Sequence, residues 1–161
     1  MDTTELRRRY DDVIAVASSV TFATPVTGWS ARMVVAHLVL HDRLLLDGFE
    51  TGTFDGAPAL DEERVRAEPD PLRGLERSSA DLVAYLAALS TEAAEREIAV
   101  SINGRPAEDQ LSIHRVVDVH TYVHLPGRFE QLQSLRIPPR GAPKVRVTPR
   151  QIDAGWDFLH P

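Results

Sequence analysis

Apolar residues recur at helical spacing through most of the chain, and that pattern is the first thing the sequence offers. Between Thr4 and Ser18, Leu6, Tyr10, Val13, Ile14 and Ala17 fall on one stripe, with Arg7, Arg8, Asp11 and Asp12 largely on other faces. This predicts an amphipathic helix with one side buried. The run Thr24-Pro25-Val26-Thr27-Gly28 ends it. A second helix is predicted from Ser30, whose hydroxyl suits an N-cap, to Asp47-Gly48, where the glycine reads as a stop. Met33, Val34, Val35, Leu38, Leu40, Leu44, Leu45 and Leu46 cover most of its circumference, so it should lie at the centre of the molecule.

Residues 51–70 are rich in Gly, Pro and acidic side chains and read as a long loop, of a kind that often covers or borders a site and is otherwise merely mobile. A third helix follows over Pro71 to Leu89, with Leu75, Leu82, Leu86 and Leu89 inward and Arg73, Glu76, Arg77 and Asp81 wet. The run Ile98-Ala99-Val100-Ser101-Ile102 is strand-like, and Asn103-Gly104 after it predicts a short hairpin. A fourth helix is expected from Ala107 to Asp109 onward, carrying Leu111, Ile113, Val116, Val117, Val119 and Val123. Pro126 should kink or break it, because proline removes the backbone bond to Tyr122. Beyond it the apolar pattern resumes with Phe129, Leu132 and Leu135.

The expected architecture is all-α: a four-helix bundle over residues 1–136 with a short β-hairpin between helices three and four. Residues 137–161 are expected to be a proline-rich basic tail, with room for a short helix between Pro149 and Leu159.

Composition narrows the chemistry. A chain of 161 residues fits one domain with a genuine core. The net charge of -6 argues against a general affinity for nucleic acid or acidic lipid. No run approaches the roughly 20 apolar residues of a membrane span. Met1-Asp2-Thr3-Thr4-Glu5 has no basic segment or apolar run of a secretory signal, so the expected compartment is the cytoplasm. There is no cysteine, which excludes disulfides, thiolate metal sites and a cysteine nucleophile. Histidine and carboxylate remain as metal donors.

Five of the six histidines lie in the second and fourth predicted helices. His37 and His41 are four residues apart and share a face with Met33, Leu40 and Leu44; His120 and His124 have the same spacing and share a stripe with Ile113 and Val117. Two imidazoles so spaced can grip one ion, and a third from the facing helix would complete a three-histidine site. From spacing alone, a bound metal and a pair of satisfied core histidines are equally open. His41 is expected behind the ligands or at the core boundary, with a ligand role in place of His37 as the lesser alternative, while His114 and His160 are expected at the surface or at a helix end.

The segment Gly28-Trp29-Ser30-Ala31-Arg32-Met33-Val34-Val35-Ala36-His37-Leu38 resembles the opening of the second helix in the DinB-like superfamily. That superfamily includes the mycothiol-dependent maleylpyruvate isomerase group. Val119-His120-Thr121-Tyr122-Val123-His124 resembles the later helix that supplies its other two ligands. The likeness spans most of residues 1–136. It implies a four-helix bundle with a divalent metal, commonly zinc or nickel, held by His37, His120 and His124.

The resemblance also implies an external low-molecular-weight thiol such as mycothiol as co-substrate, and a homodimer by analogy. The expected function is a metal- and thiol-dependent transferase or isomerase; the alternative is a non-catalytic binding or stress-response protein that keeps the site. Arg128, one turn past His124, is a candidate for gripping a ligand carboxylate; a solvated surface charge is the other reading. The basic strip Arg136, Arg140, Lys144, Arg146 and Arg150 is expected to be a solvated tail or a docking surface for an acidic partner, and not a nucleic-acid reader.

Overall fold

The computed structural model describes residues 1–20, 28–102, 105–107 and 110–136. Helix α1 spans Thr4–Ser19, and its buried face is Leu6, Tyr10, Val13, Val16 and Ala17. Ile14 of the predicted stripe is only partly buried, and Val16 takes the inward place. Helix α2 spans Ala31–Thr51 and is capped by Ser30, whose hydroxyl accepts from the Met33 N–H at 3.3 Å. It buries thirteen residues, as a central helix must.

The predicted stop at Gly48 is corrected: α2 continues through it and ends at Gly52, which adopts the left-handed φ of +83°. Gly48 has a different task. A Cβ there would lie 2.9 Å from Cβ and 3.0 Å from Cα of Phe54, so its missing side chain lets the following strand lie against the helix.

The predicted long loop over residues 51–70 is also corrected. It holds strand β1 (Thr53–Asp55), a 3-10 turn (Ala57–Leu60) and a short helix α3 (Glu62–Ala67). Asp61 starts α3 by accepting from the N–H groups of Glu63 and Arg64 at 2.9 and 3.1 Å. Helix α4 (Pro71–Ala88) follows, with Pro71 in its first turn and Asp70 as cap. Leu75, Leu82 and Leu86 are fully buried, and Arg73, Glu76, Arg77 and Asp81 are exposed, as the pattern predicted. A single turn, α5 (Thr91–Ala94), leads into strand β2 (Glu97–Ile102).

The strand run predicted at Ile98–Ile102 is therefore present, and it is the centre of a small sheet. It pairs antiparallel with β3 (Arg105–Pro106), as a hairpin requires, parallel with β1, and antiparallel with β4 (Leu111–Ser112). Asn103 and Gly104 lie outside the described residues. The fourth helix starts later than predicted, because Leu111 and Ser112 pair with Ile98 and Glu97. Ser112 then caps α6 (Ile113–Val119) by accepting from the Arg115 N–H at 3.2 Å.

Pro126 does not end the helix. Helical backbone runs from α6 through a π turn (His120–His124) into α7 (Leu125–Ser134). In the π turn the Leu125 N–H reaches back five residues to the His120 carbonyl. The wider turn changes register just before the residue that has no N–H to give, so proline falls in the first turn of α7, where it is tolerated. The described part is thus a bundle of α1, α2, α4 and the α6–α7 rod, with the small sheet and α3 beside α2. The tail expected at 137–161, including its terminal helix, lies outside the described residues. No described helix is long and apolar enough to cross a membrane.

Candidate metal centre

Helix α2 and the π turn face each other across the core and bring four imidazoles together. His37, His41, His120 and His124 are each no more than 3% exposed. From α2, His37 and His41 project on one face with ring centroids 5.9 Å apart. From the π turn, His120 and His124 come to meet them. His37 Nε2 lies 2.9 Å from His124 Nε2, and His120 Nδ1 lies 3.1 Å from His124 Nδ1. The His41 ring stacks on His120 at 4.9 Å and 11° and sits 4.2 Å from the His124 ring. Among the described residues, nitrogens of His41, His120 and His124 all lie within 4.8 Å of one another. Of the three residues expected as ligands, His120 and His124 are in this group; His41 is its third member, and His37 meets it through His124 Nε2.

Each ring is oriented from behind. His37 Nδ1 is 2.8 Å from the carbonyl of Ala59 in the 3-10 turn. A carbonyl can only accept, so Nδ1 carries the proton and Nε2 turns a lone pair inward. Segment 51–70 therefore does border the site. Behind His120 stands a buried chain: Nε2 lies 2.7 Å from the Tyr10 hydroxyl, which donates to Asp42 Oδ1 at 2.6 Å, while Ser78 donates to Asp42 Oδ2 at 2.7 Å. The Tyr10 proton is given to Asp42, so His120 Nε2 donates to the tyrosine oxygen and its Nδ1 faces the cluster with a lone pair. The direct His120 Nε2–Asp42 Oδ1 distance, 3.6 Å, is too long for a bond, so the hydroxyl is the link.

Arg128 is 2% exposed, so the solvated-charge reading of this residue is corrected. Its Nε donates to His124 Nε2 at 3.2 Å, and its NH1 group donates to Gln131 Oε1 at 3.1 Å. Accepting from Arg128 makes His124 Nε2 a lone-pair site as well. His124 Nδ1 then carries the proton and donates to His120 Nδ1 at 3.1 Å, while His37 Nε2 lies 2.9 Å from the same His124 Nε2 that accepts from Arg128.

Burial sets the electrostatics. It pushes His120 down to about 3, and it holds His37, His41 and His124 well below the ordinary imidazole value, helped by the neighbouring Arg128 charge. Neutral imidazole is the form that binds a metal. Asp42, buried on α2, is pushed up to about 7 by desolvation, against the pull of its bonds from Tyr10 and Ser78. Donors sharing one ion at about 2.1 Å each lie at most about 4.2 Å apart. The 2.9 and 3.1 Å pairs each satisfy that limit but use opposite nitrogens of His124, and the 4.8 Å bound on the group of His41, His120 and His124 exceeds it by about 0.6 Å at most. The donor set fits a transition metal such as zinc or nickel.

Tyr10, Asp42, Ser78 and the Ala59 carbonyl were not singled out by the sequence reading. Tyr10 looked like one more core residue. The one available signal was Asp42, a carboxylate beside His41 in an otherwise apolar stretch. Trp29 packs at the start of α2 with its ring 5.3 Å from His37, as a packing anchor should. His114 is at the surface on α6, 3.1 Å from Glu95; Trp156 and His160 lie outside the described residues.

A family model described as the mycothiol maleylpyruvate isomerase N-terminal domain matches residues 3–121. The match takes in Tyr10, His37, His41, Asp42, Ser78 and His120, and stops before His124 and Arg128. No curated protein and no solved structure matches the chain.

Proposed function

We propose that this chain, which belongs to the mycothiol maleylpyruvate isomerase N-terminal domain family, binds a divalent metal ion through His37, His120 and His124 and uses it in a thiol-dependent transfer or isomerisation. The observation that carries the reading is the buried histidine cluster, in which nitrogens of His41, His120 and His124 all lie within 4.8 Å of one another and His37 Nε2 lies 2.9 Å from His124 Nε2. Zinc or nickel is the proposed ion. When bound, it would supply Lewis acidity that polarises a carbonyl or favours the thiolate of an external thiol.

The chain's own residues do the rest. The Ala59 carbonyl holds His37, and the Asp42–Tyr10 pair holds His120, each with a lone pair inward. With no cysteine in the chain, the sulfur must arrive on a small molecule. We assign Arg128 to pair with a carboxylate of that molecule while steadying His124, since a guanidinium grips a carboxylate through two parallel bonds. An Arg128→Ala protein with unchanged ligand affinity would remove that assignment.

One observation favours the non-catalytic alternative: the four clustered imidazoles are almost completely covered, which suits a closed binding site better than an open one. Turnover that depends on an added thiol separates the two readings. The first test is elemental analysis of untagged protein, with His37→Ala and His124→Ala in parallel. Near-stoichiometric metal that is lost in both variants is the expected result. Metal-free protein, even after addition of zinc or nickel, overturns the reading.

A further inference from the structure

We infer that Pro126 is a positioning residue for the histidine cluster: it pins the π turn at His120–His124 and so sets where His124 and Arg128 enter the core. Its bearing on metal binding rests on the reading above; the register itself does not.

The buried residues show that the helical rod changes face at this turn. On α6 the inward residues include Ile113, Val116 and Val117, and His120 follows them. Continued at α spacing, that stripe would run through His124, Gly127 and Gln131. Beyond the turn it runs instead through Leu125, Arg128 and Leu132, one residue later each time, with Gln131 also buried. Gly127 has left the stripe: a Cβ there would meet no atom within 4 Å. A turn closed by an i to i+5 bond holds one extra residue, which rotates everything after it by about 100°. That rotation buries Leu132 and brings Arg128 into the core beside His124.

Packing of Leu132 requires the extra residue but does not fix its place. Pro126 does. In an α turn its ring would press on the carbonyl of Tyr122, four residues back, and it has no N–H to give that carbonyl. The wide turn must therefore close just before it, as the Leu125 N–H does on the His120 carbonyl. Tyr122, whose carbonyl proline cannot serve, is the most exposed residue of the turn, where solvent can serve it instead. In an α turn His124 would lie about 40° past a full turn from His120; in the wider turn it stops short of one. The 3.1 Å approach of their Nδ1 atoms belongs to that second arrangement.

The test compares the wild type with Pro126→Ala, and with Pro126→Ala combined with Gly127→Pro, which moves the proline one place. Crystal structures of the metal-free proteins read the register. In Pro126→Ala the Leu125 N–H is expected to return to the Thr121 carbonyl, with the wide turn displaced and Leu132 still buried. In the double variant the N–H at position 126 is expected to reach five residues back to Thr121, so that the wide turn follows the proline. Zinc affinity by chelator competition should fall about 10–100-fold in Pro126→Ala, as on loss of an orienting partner, and the visible spectrum of the cobalt protein should change. The metal-free Tm should move by no more than about 4 °C.

A Leu125 N–H that stays on His120 in Pro126→Ala would show that packing alone places the turn, and would overturn the inference. So would a displaced turn with unchanged zinc affinity and cobalt spectrum, or an affinity loss no larger than the fall in Tm accounts for. Should Pro126→Ala fail to fold, the double variant decides the same question, because its wide turn either follows the proline or does not. A wild type that takes up no metal overturns the metal reading instead, and the variant structures still decide the register.

Discussion

Lowering the pH of metal-free protein from 7.5 to 5.5 should destabilise it by roughly 3–4 kcal/mol, and the number can be worked from the cluster. His37, His41, His120 and His124 all have pKa values depressed by burial below the ordinary 6.5. Below pH 6.5 the unfolded chain takes up protons that the folded cluster refuses, so the unfolded state binds more protons and stability falls with pH. Each imidazole contributes about 1.4 kcal/mol per pH unit in that window, or about 5 kcal/mol for the four over this interval.

Asp42 acts in the opposite sense. Its pKa is raised to about 7 in the fold, so between its unfolded value near 3.8 and that point the folded state holds the extra proton. This offsets about 2 kcal/mol as the pH falls over the same range. For a domain of this size the net loss corresponds to a fall in Tm of about 10 °C. The assay is calorimetry or circular dichroism melting after removal of metal with a chelator, at several pH values. A Tm that stays within about 2 °C from pH 7.5 to 5.5 would refute the claim that the four imidazoles are held neutral in the core. Repeating the scan with added zinc should raise Tm at each pH, because the folded imidazoles are already neutral and free to bind the ion throughout this interval.

Other changes follow from the same contacts. Asp42→Asn keeps the shape but removes the opposing titration, so the loss over the same interval should steepen to about 5 kcal/mol in the same melting series. Tyr10→Phe removes the hydroxyl that joins Asp42 to His120; it should cost about 1–3 kcal/mol in denaturant titration and weaken zinc binding by about 10–100-fold in chelator competition. Gly48→Ala places a methyl group 2.9 Å from Cβ of Phe54, where strand and helix must separate, and should cost about 1–3 kcal/mol despite alanine's better helix propensity. A Gly48→Ala protein as stable as the wild type would show that β1 is free to shift.

Much of this protein is legible in its sequence, for a reason that can be stated. Helix existence and the inward faces of α1, α2 and α4 follow from apolar spacing, because each helix buries one stripe whatever its neighbours are. The i, i+4 histidine pairs declare themselves in the same way, and Trp29-Ser30 marks the start of α2. Boundaries set by neighbours are not legible. Gly48 reads as a stop when considered alone, but the approach of Phe54 makes it a helix interior. Ala107 to Ser112 looks helical until β2 claims Leu111 and Ser112 as a partner strand.

The site divides along the same line. Sequence spacing determined which histidines could act together, since that depends on one helix at a time. Only the tertiary structure decided that both pairs meet, that His41 is inside the cluster, and that Tyr10 stands between Asp42 and His120. Those relations join α1, α2 and the π turn across up to 110 residues of chain. They depend on how helices cross and how one turn widens ahead of Pro126, and no local periodicity encodes that.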